Sequence, residues 1–155
     1  MTPAINLARK HKIDFTIHEY PHDDGNAAYG MEAVEKLALP AERVFKTLVV
    51  NLDNRQLGVA VVPVSSMLNM KCMAKALGVR KTSMADQADV ERVTGYVLGG
   101  VSPLGQRKRL PTAIDLSAKA YDTIYVSAGR RGLEIELAPA DLCRLVNGKF
   151  ATLCQ

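Results

Sequence analysis

"VFKTLVVNLDNRQLGVAVVPV", residues 44–64, holds two apolar, β-branched runs on either side of Asp53, Asn54 and Arg55. Turn-forming residues between such runs predict two adjacent antiparallel strands. Both runs are nearly continuous in apolar residues, which puts the pair in the buried centre of a sheet. Lys46 interrupts the first run. Alternation sets it on the face of Leu48 and Val50, where a buried ammonium is costly. Either its head reaches water at the strand end, or it enters a cleft and binds an anionic or carbonyl oxygen.

Before this pair, Thr2 can cap a helix with Pro3 at its first position. "DFTIHEYP" then alternates as a strand, with Phe15 and Ile17 on one face and Thr16, His18 and Tyr20 on a polar face fit to wall a cleft. Met31, Val34 and Leu37 give an apolar stripe to a helix starting near Gly30 and stopping before Pro40. After the pair, "NMKCMAKALG" predicts a helix capped by Asn69 and closed by Gly78, and "DQADVERVTG" another closed by Gly95. "YVLGG", "TAIDL", "TIYVS" and "LEIEL" read as strands, and Pro139 opens a last helix with Leu142, Leu145 and Val146 inward. Helices interleave with strands, but hairpins are included. The expected class is therefore mixed α/β, a curled mixed sheet surrounded by helices, as one domain over residues 1–155.

With 155 residues, such a domain buries roughly 70% of its unfolded surface and needs no staples. The three cysteines, Cys72, Cys143 and Cys154, are odd in number and lack metal spacing, so they read as reduced thiols in a cytoplasmic protein without a metal. No apolar run approaches the ~18 residues of a membrane span. A net charge of +4 is compatible with a polyanion, and the basic residues after position 70 favour one basic face.

"GYVLGGVSPLGQRKRLP", residues 95–111, is the second informative stretch. It is not a nucleotide P-loop, because Gln106 and Arg107 follow Gly105 where Lys-Ser or Lys-Thr is required, and the dinucleotide fingerprint is absent as well. What remains is a backbone-rich loop beside Arg107, Lys108 and Arg109. Its glycines either make a tight turn or leave N–H groups open to a reacting oxygen. His11, His18 and His22 have no metal-binding partners by spacing, and Cys72 and Cys143 sit at apolar helical positions that suit core thiols. Ser127 either caps a turn or enters a site.

"VFKTLVV", "TGYVLGGVSPLGQRKRLPT" and "IYVSAGRRGLEIEL" together resemble the YbaK-type aminoacyl-tRNA deacylases, free-standing relatives of the editing domain of bacterial prolyl-tRNA synthetases. The resemblance spans essentially the whole chain. It implies the fold of that family and hydrolysis of mischarged Cys-tRNA(Pro) without a cofactor, the partners being aminoacylated tRNA(Pro) and, further, prolyl-tRNA synthetase, with no DNA and no membrane. It also implies a role for Lys46 and its neighbour Thr47, for the glycine loop at Gly99, Gly100 and Val101, for Ser127, and for Tyr20 as an aromatic pocket residue. Tyr29 stands where relatives often carry Phe, and Glu134 where they carry Asp. In this family the substrate's own thiol is thought to attack its ester and leave a thiolactone, so no protein nucleophile is needed. The loop would then hold the aminoacyl carbonyl, and Arg107, Lys108 and Arg109 the tRNA end. The alternatives are a deacylase of the same family that clears Ala or Pro with water, and a non-catalytic tRNA- or synthetase-binding module.

Overall fold

The computed structural model describes residues 1–23 and 29–155, with the side chain of Tyr29 outside the described residues. Strands β2 (Phe45–Leu52) and β3 (Leu57–Pro63) form the expected antiparallel hairpin. They occupy the interior of a five-stranded sheet ordered β4-β2-β3-β5-β8, where β4 is Thr82–Met84, β5 Thr112–Asp115 and β8 Lys149–Ala151. β5 runs parallel to β3 and β8 parallel to β5, which makes the sheet mixed. A second sheet, β1-β7-β6, is antiparallel and made of Phe15–Glu19, Leu133–Leu137 and Ile124–Arg130. A parallel bridge between Val44 and Tyr125 joins the two sheets at the start of β2.

The sheets share one large core. Phe45, Val49, Val59 and Val61 from the hairpin meet Val126, Ile135 and Leu137 there, with α1 (Pro3–Lys10), α4 (Gln87–Thr94) and α5 (Pro139–Leu145) closing it. Helix α3 (Met70–Leu77) covers the opposite face of the hairpin through Met73, against Val50, Ala60 and Val62. Helix α2 (Tyr29–Leu37) covers the outer face of the second sheet, where Ala33, Val44 and Tyr125 pack together. Caps set several helix ends as the sequence predicts: the Thr2 and Asn69 side chains accept from the amides of Ile5 and Cys72, and Gly78 and Gly95 close α3 and α4 in left-handed geometry.

Two expectations fail. "YVLGG" is not a strand, because Gly95 ends α4 and the following backbone bonds locally. The Tyr96 amide donates to Thr94 Oγ1 at 3.1 Å, that of Leu98 to Glu91 Oε2 at 3.0 Å and that of Gly100 to the Val97 carbonyl at 2.9 Å. The α2 stripe is also displaced. Met31 is 40% exposed, while Glu32 and Ala33 are the buried residues. Glu32 is tolerated inside because the Asp23 amide donates to it and His22 and Lys36 pair with it. Burial alone would raise its pKa, and these partners hold it down at about 2.

Candidate active site

A cleft of about 500 Å³ opens between the exposed edge of β2, helix α2, the segment leading into α4, and the loop after α4. β4 pairs with β2 only at Val50, Asn51 and Leu52, which leaves Lys46, Thr47 and Leu48 without a β4 partner beside the cleft. Lys46, Thr47, Ser127, Glu134 and Tyr20 all line it, as do Gly99 and Val101. Sequence positions from 20 to 134 thus converge on one cavity. Gly100 is not among the lining residues. Its amide is already spent on Val97, and a side chain there would meet the Arg130–Arg131 backbone at 3.1 Å. The glycine pair therefore divides its work. Gly99, with φ of 87°, turns the chain at the cleft, and Gly100 lets the loop lie on the β6–β7 turn.

Ser127 and Glu134 stand directly opposite each other on β6 and β7, so their side chains share the face that α2 covers. Ser127 Oγ accepts from the Gly129 amide at 3.1 Å, which is the turn-capping role. Glu134 is 7% exposed, and among the described residues it has no hydrogen-bond or ion-pair partner. Burial pushes its carboxyl up to about 8, so it is mostly protonated at neutral pH. Burial, then the Glu134 charge, also pushes the Tyr20 phenol up to about 12. Thr47 Oγ1 is buried, and among the described residues it has no hydrogen-bond partner, at a cost of ~1–3 kcal/mol. Lys46 has no carboxylate within ion-pairing distance among the described residues, and lies near enough to Cys154 for its charge to act on that thiol.

Two residues outside the sequence reading hold the glycine loop. Arg131 donates from Nε and Nη2 to the Leu98 carbonyl at 3.0 and 2.8 Å, while Glu91 accepts the Leu98 amide. Nothing in the spacing of Arg131 points to Leu98. The basic triplet does not face the cleft. Arg107 lies by α4 with its guanidinium 3.4 Å from the Arg92 carbonyl, and Lys108 and Arg109 line a separate pocket.

Among the described residues neither a cysteine nor a histidine lines the cleft. Cys72, Cys143 and Cys154 are half-buried rather than core residues, and burial raises the Cys143 thiol and pushes that of Cys154 to about 11. His18 pairs with Glu136 at 2.9 Å and His22 with Glu32 at 2.6 Å. Among the described residues no group of His, Cys, Asp and Glu could hold a metal ion, and no helix is long and apolar enough to cross a membrane.

The family model for the aminoacyl-tRNA editing domain matches residues 26–145. The chain is 38% identical over 152 residues, 98% of it and 92% of the relative, to EbsC of Enterococcus faecalis, a protein named as a Cys-tRNA(Pro)/Cys-tRNA(Cys) deacylase. It is 27% identical to a proline–tRNA ligase of Lactobacillus helveticus across 90% of its own length and 26% of the ligase. A solved structure described as a trans-editing enzyme for prolyl-tRNA synthetase superposes with a TM-score of 0.82 at 19% identity, covering 100% of this chain and 99% of that one, which establishes the shared fold. With a model matched over most of its length and a full-length relative at this identity, the chain belongs to the aminoacyl-tRNA editing domain family.

Proposed function

We propose that the protein is a trans-editing deacylase that clears Cys-tRNA(Pro) in the cytoplasm, using the thiol of the mischarged cysteine as nucleophile. One observation supports this above the rest: among the described residues the cleft presents hydroxyls, a lysine and a carboxyl, but no cysteine or histidine. In the proposed reaction the cysteinyl sulfur bonds to the ester carbonyl carbon and the carbon–oxygen bond to the ribose breaks. The thiol proton passes to the leaving ribose oxygen, and a thiolactone is released. An intramolecular attack of this kind reaches effective molarities of about 10⁵ M or more, so the protein need only hold the conformer and stabilise charge.

Residue roles follow from position. Lys46 meets the carbonyl oxygen or the terminal ribose and phosphate. Gly99 and Val101 face the aminoacyl group, and Tyr20, Thr47 and Ser127 bound its side chain. A hydrolytic check of this kind is useful because a synthetase pocket separates side chains of similar size by only ~1–3 kcal/mol. Prolyl-tRNA synthetase is the partner that would deliver the substrate.

Glu134 favours a second reading. A buried carboxyl in the cleft that ionises only as pH rises toward about 8 becomes a general base under alkaline conditions, and there activates water against an alanyl or prolyl ester. Release of amino acid from Cys-tRNA(Pro), Ala-tRNA(Pro) and Pro-tRNA(Pro) by the purified protein separates the two. Preference for the cysteinyl ester supports the first reading, and equal cleavage of the alanyl ester supports the second.

A further inference from the structure

On the far side of the loop lies a second cavity of about 420 Å³, which shares no lining residue with the cleft. Its floor is apolar, built on the buried Leu110 and Leu145. Its rim carries Lys108, Arg109 and Arg144, with His11 beside them, and among the described residues no aspartate or glutamate lines it. Of these three positive charges over an apolar floor, Lys108 and Arg109 have no ion-pair partner among the described residues, and Arg144 has only Asp141. The charges also come from elements far apart in sequence.

The cavity is firmly built. The Lys108 amide donates to the Val93 carbonyl at 3.0 Å, which ties the basic segment to α4. Gly105, in left-handed geometry, packs so closely on α1 that a side chain would stand 2.7 Å from the Pro3 backbone. Arg144 is 64% exposed and pairs with Asp141 at 3.1 Å, one turn earlier on α5, a residue that does not line the cavity. That pair is weak and releasable. Each charge is thus held at the rim of a fixed concavity while its head stays available.

We propose that this cavity binds a nucleotide, its phosphate on Lys108, Arg109 and Arg144 and its base on the Leu110–Leu145 floor. Phosphate matches the charge, and arginine matches its planar, multi-oxygen geometry. A flat base matches an apolar floor that a bare inorganic anion would leave uncovered. The nucleotide belongs either to the RNA chain of the substrate or to a free mononucleotide. In the first case the inference rests on the proposed deacylation, and loop residues 98–110 join the two sites: Gly99 and Val101 face the acyl group, and Lys108 and Arg109 face the RNA body.

The test is binding, kept apart from turnover. Uncharged tRNA(Pro) transcript, AMP, CMP and inorganic phosphate are titrated against the wild-type protein and Lys108→Gln/Arg144→Gln, with thermal melts to confirm that both are folded. If RNA is the ligand, the variant binds tRNA on the order of tenfold more weakly, its salt slope falls by about one for each phosphate left without its cation, and AMP and CMP bind neither protein. If a free nucleotide is the ligand, AMP or CMP binds the wild type and not the variant, more tightly than inorganic phosphate. Identical tRNA affinity and salt slope in the two proteins, with no mononucleotide binding, overturns the assignment. A wild-type protein that binds tRNA through this site but releases no amino acid from any of the charged tRNAs would instead count against the proposed function and leave this site standing.

Discussion

Arg131 grips the Leu98 carbonyl with two nitrogens, at 3.0 and 2.8 Å, from the turn between β6 and β7. Leu98 immediately precedes the glycine pair and itself lines the cleft. The guanidinium therefore sets where the loop stands against Ser127 and Glu134. A planar fork can make both bonds to one oxygen, whereas an ammonium makes one. Arg131→Lys should lower kcat roughly three- to tenfold and Arg131→Ala on the order of 10–100-fold, because a misplaced loop costs positioning. KM and the melting temperature should shift little. Equal kcat in all three proteins would show that the loop does not need this clamp.

Gly100 distinguishes a structural from a chemical use of the loop. Its neighbours are the Arg130 and Arg131 backbone atoms at 3.1–3.2 Å from where a Cβ would stand, and backbone cannot swing aside as a side chain can. Gly100→Val should lift the loop from the turn, cost ~1–3 kcal/mol of stability and lower turnover together with it. A melting temperature equal to wild type with turnover lost would instead place Gly100 against the substrate.

Much of this was legible because it depends on local rules. The hairpin of residues 44–64 and the Asn69 and Gly78 caps follow from periodicity and backbone chemistry, whereas of the polar positions Thr16, His18 and Tyr20 only Tyr20, just past β1, lines the described cleft. "YVLGG" misled because β-branched and aromatic residues suggest a strand, while the deciding partners, Thr94 and Glu91, sit on the preceding helix. Met31 misled because an apolar stripe does not say whether it meets a core or a cleft. The bonds of Arg131 to Leu98, and the meeting of Arg144 with Lys108, join residues more than thirty positions apart, and no spacing rule reaches that far.

Lys46 lines the cleft from the strand edge and makes no ion pair among the described residues, so its ammonium is not holding the fold together. Lys46→Ala should therefore melt within a few degrees of wild type while losing on the order of 10²-fold in turnover, the scale of a missing electrostatic contact to the developing charge. Turnover at the wild-type rate would remove Lys46 from the chemistry.

Glu134 makes a prediction about pH. Its folded-state pKa is raised from 4.5 to about 8 by burial, so the folded protein holds this proton more tightly than the unfolded chain does. The resulting stability is present in full below pH 4.5 and is lost as pH rises through about 8. The whole shift corresponds to an upper figure on the order of 5 kcal/mol. Glu134→Gln, which keeps the shape without the titration, should melt higher than wild type at pH 9 and close to it at pH 5. A constant offset between the two proteins from pH 5 to 9 would mean that Glu134 is ionised throughout.

The sharpest expectation concerns the attacking atom. The described cleft lining contains no thiol or imidazole, and the thiol of Cys154 is pushed to about 11, away from reactivity at neutral pH. A cysteinyl ester brings its own thiol, with an unperturbed pKa of about 8.5 and high intrinsic nucleophilicity. Turnover on Cys-tRNA(Pro) should thus climb with pH toward that value. It should persist when Cys72, Cys143 and Cys154 are all changed to Ser, since none of them lines the cleft. Seryl and alanyl esters on the same tRNA, close in size but without the thiol, should be released on the order of 10²-fold more slowly or worse, and S-methylation of the cysteinyl group should abolish release. Equal rates on the three esters would mean that water attacks, and Glu134, a cleft carboxyl with no hydrogen-bond or ion-pair partner among the described residues, would then be the residue to test as its base.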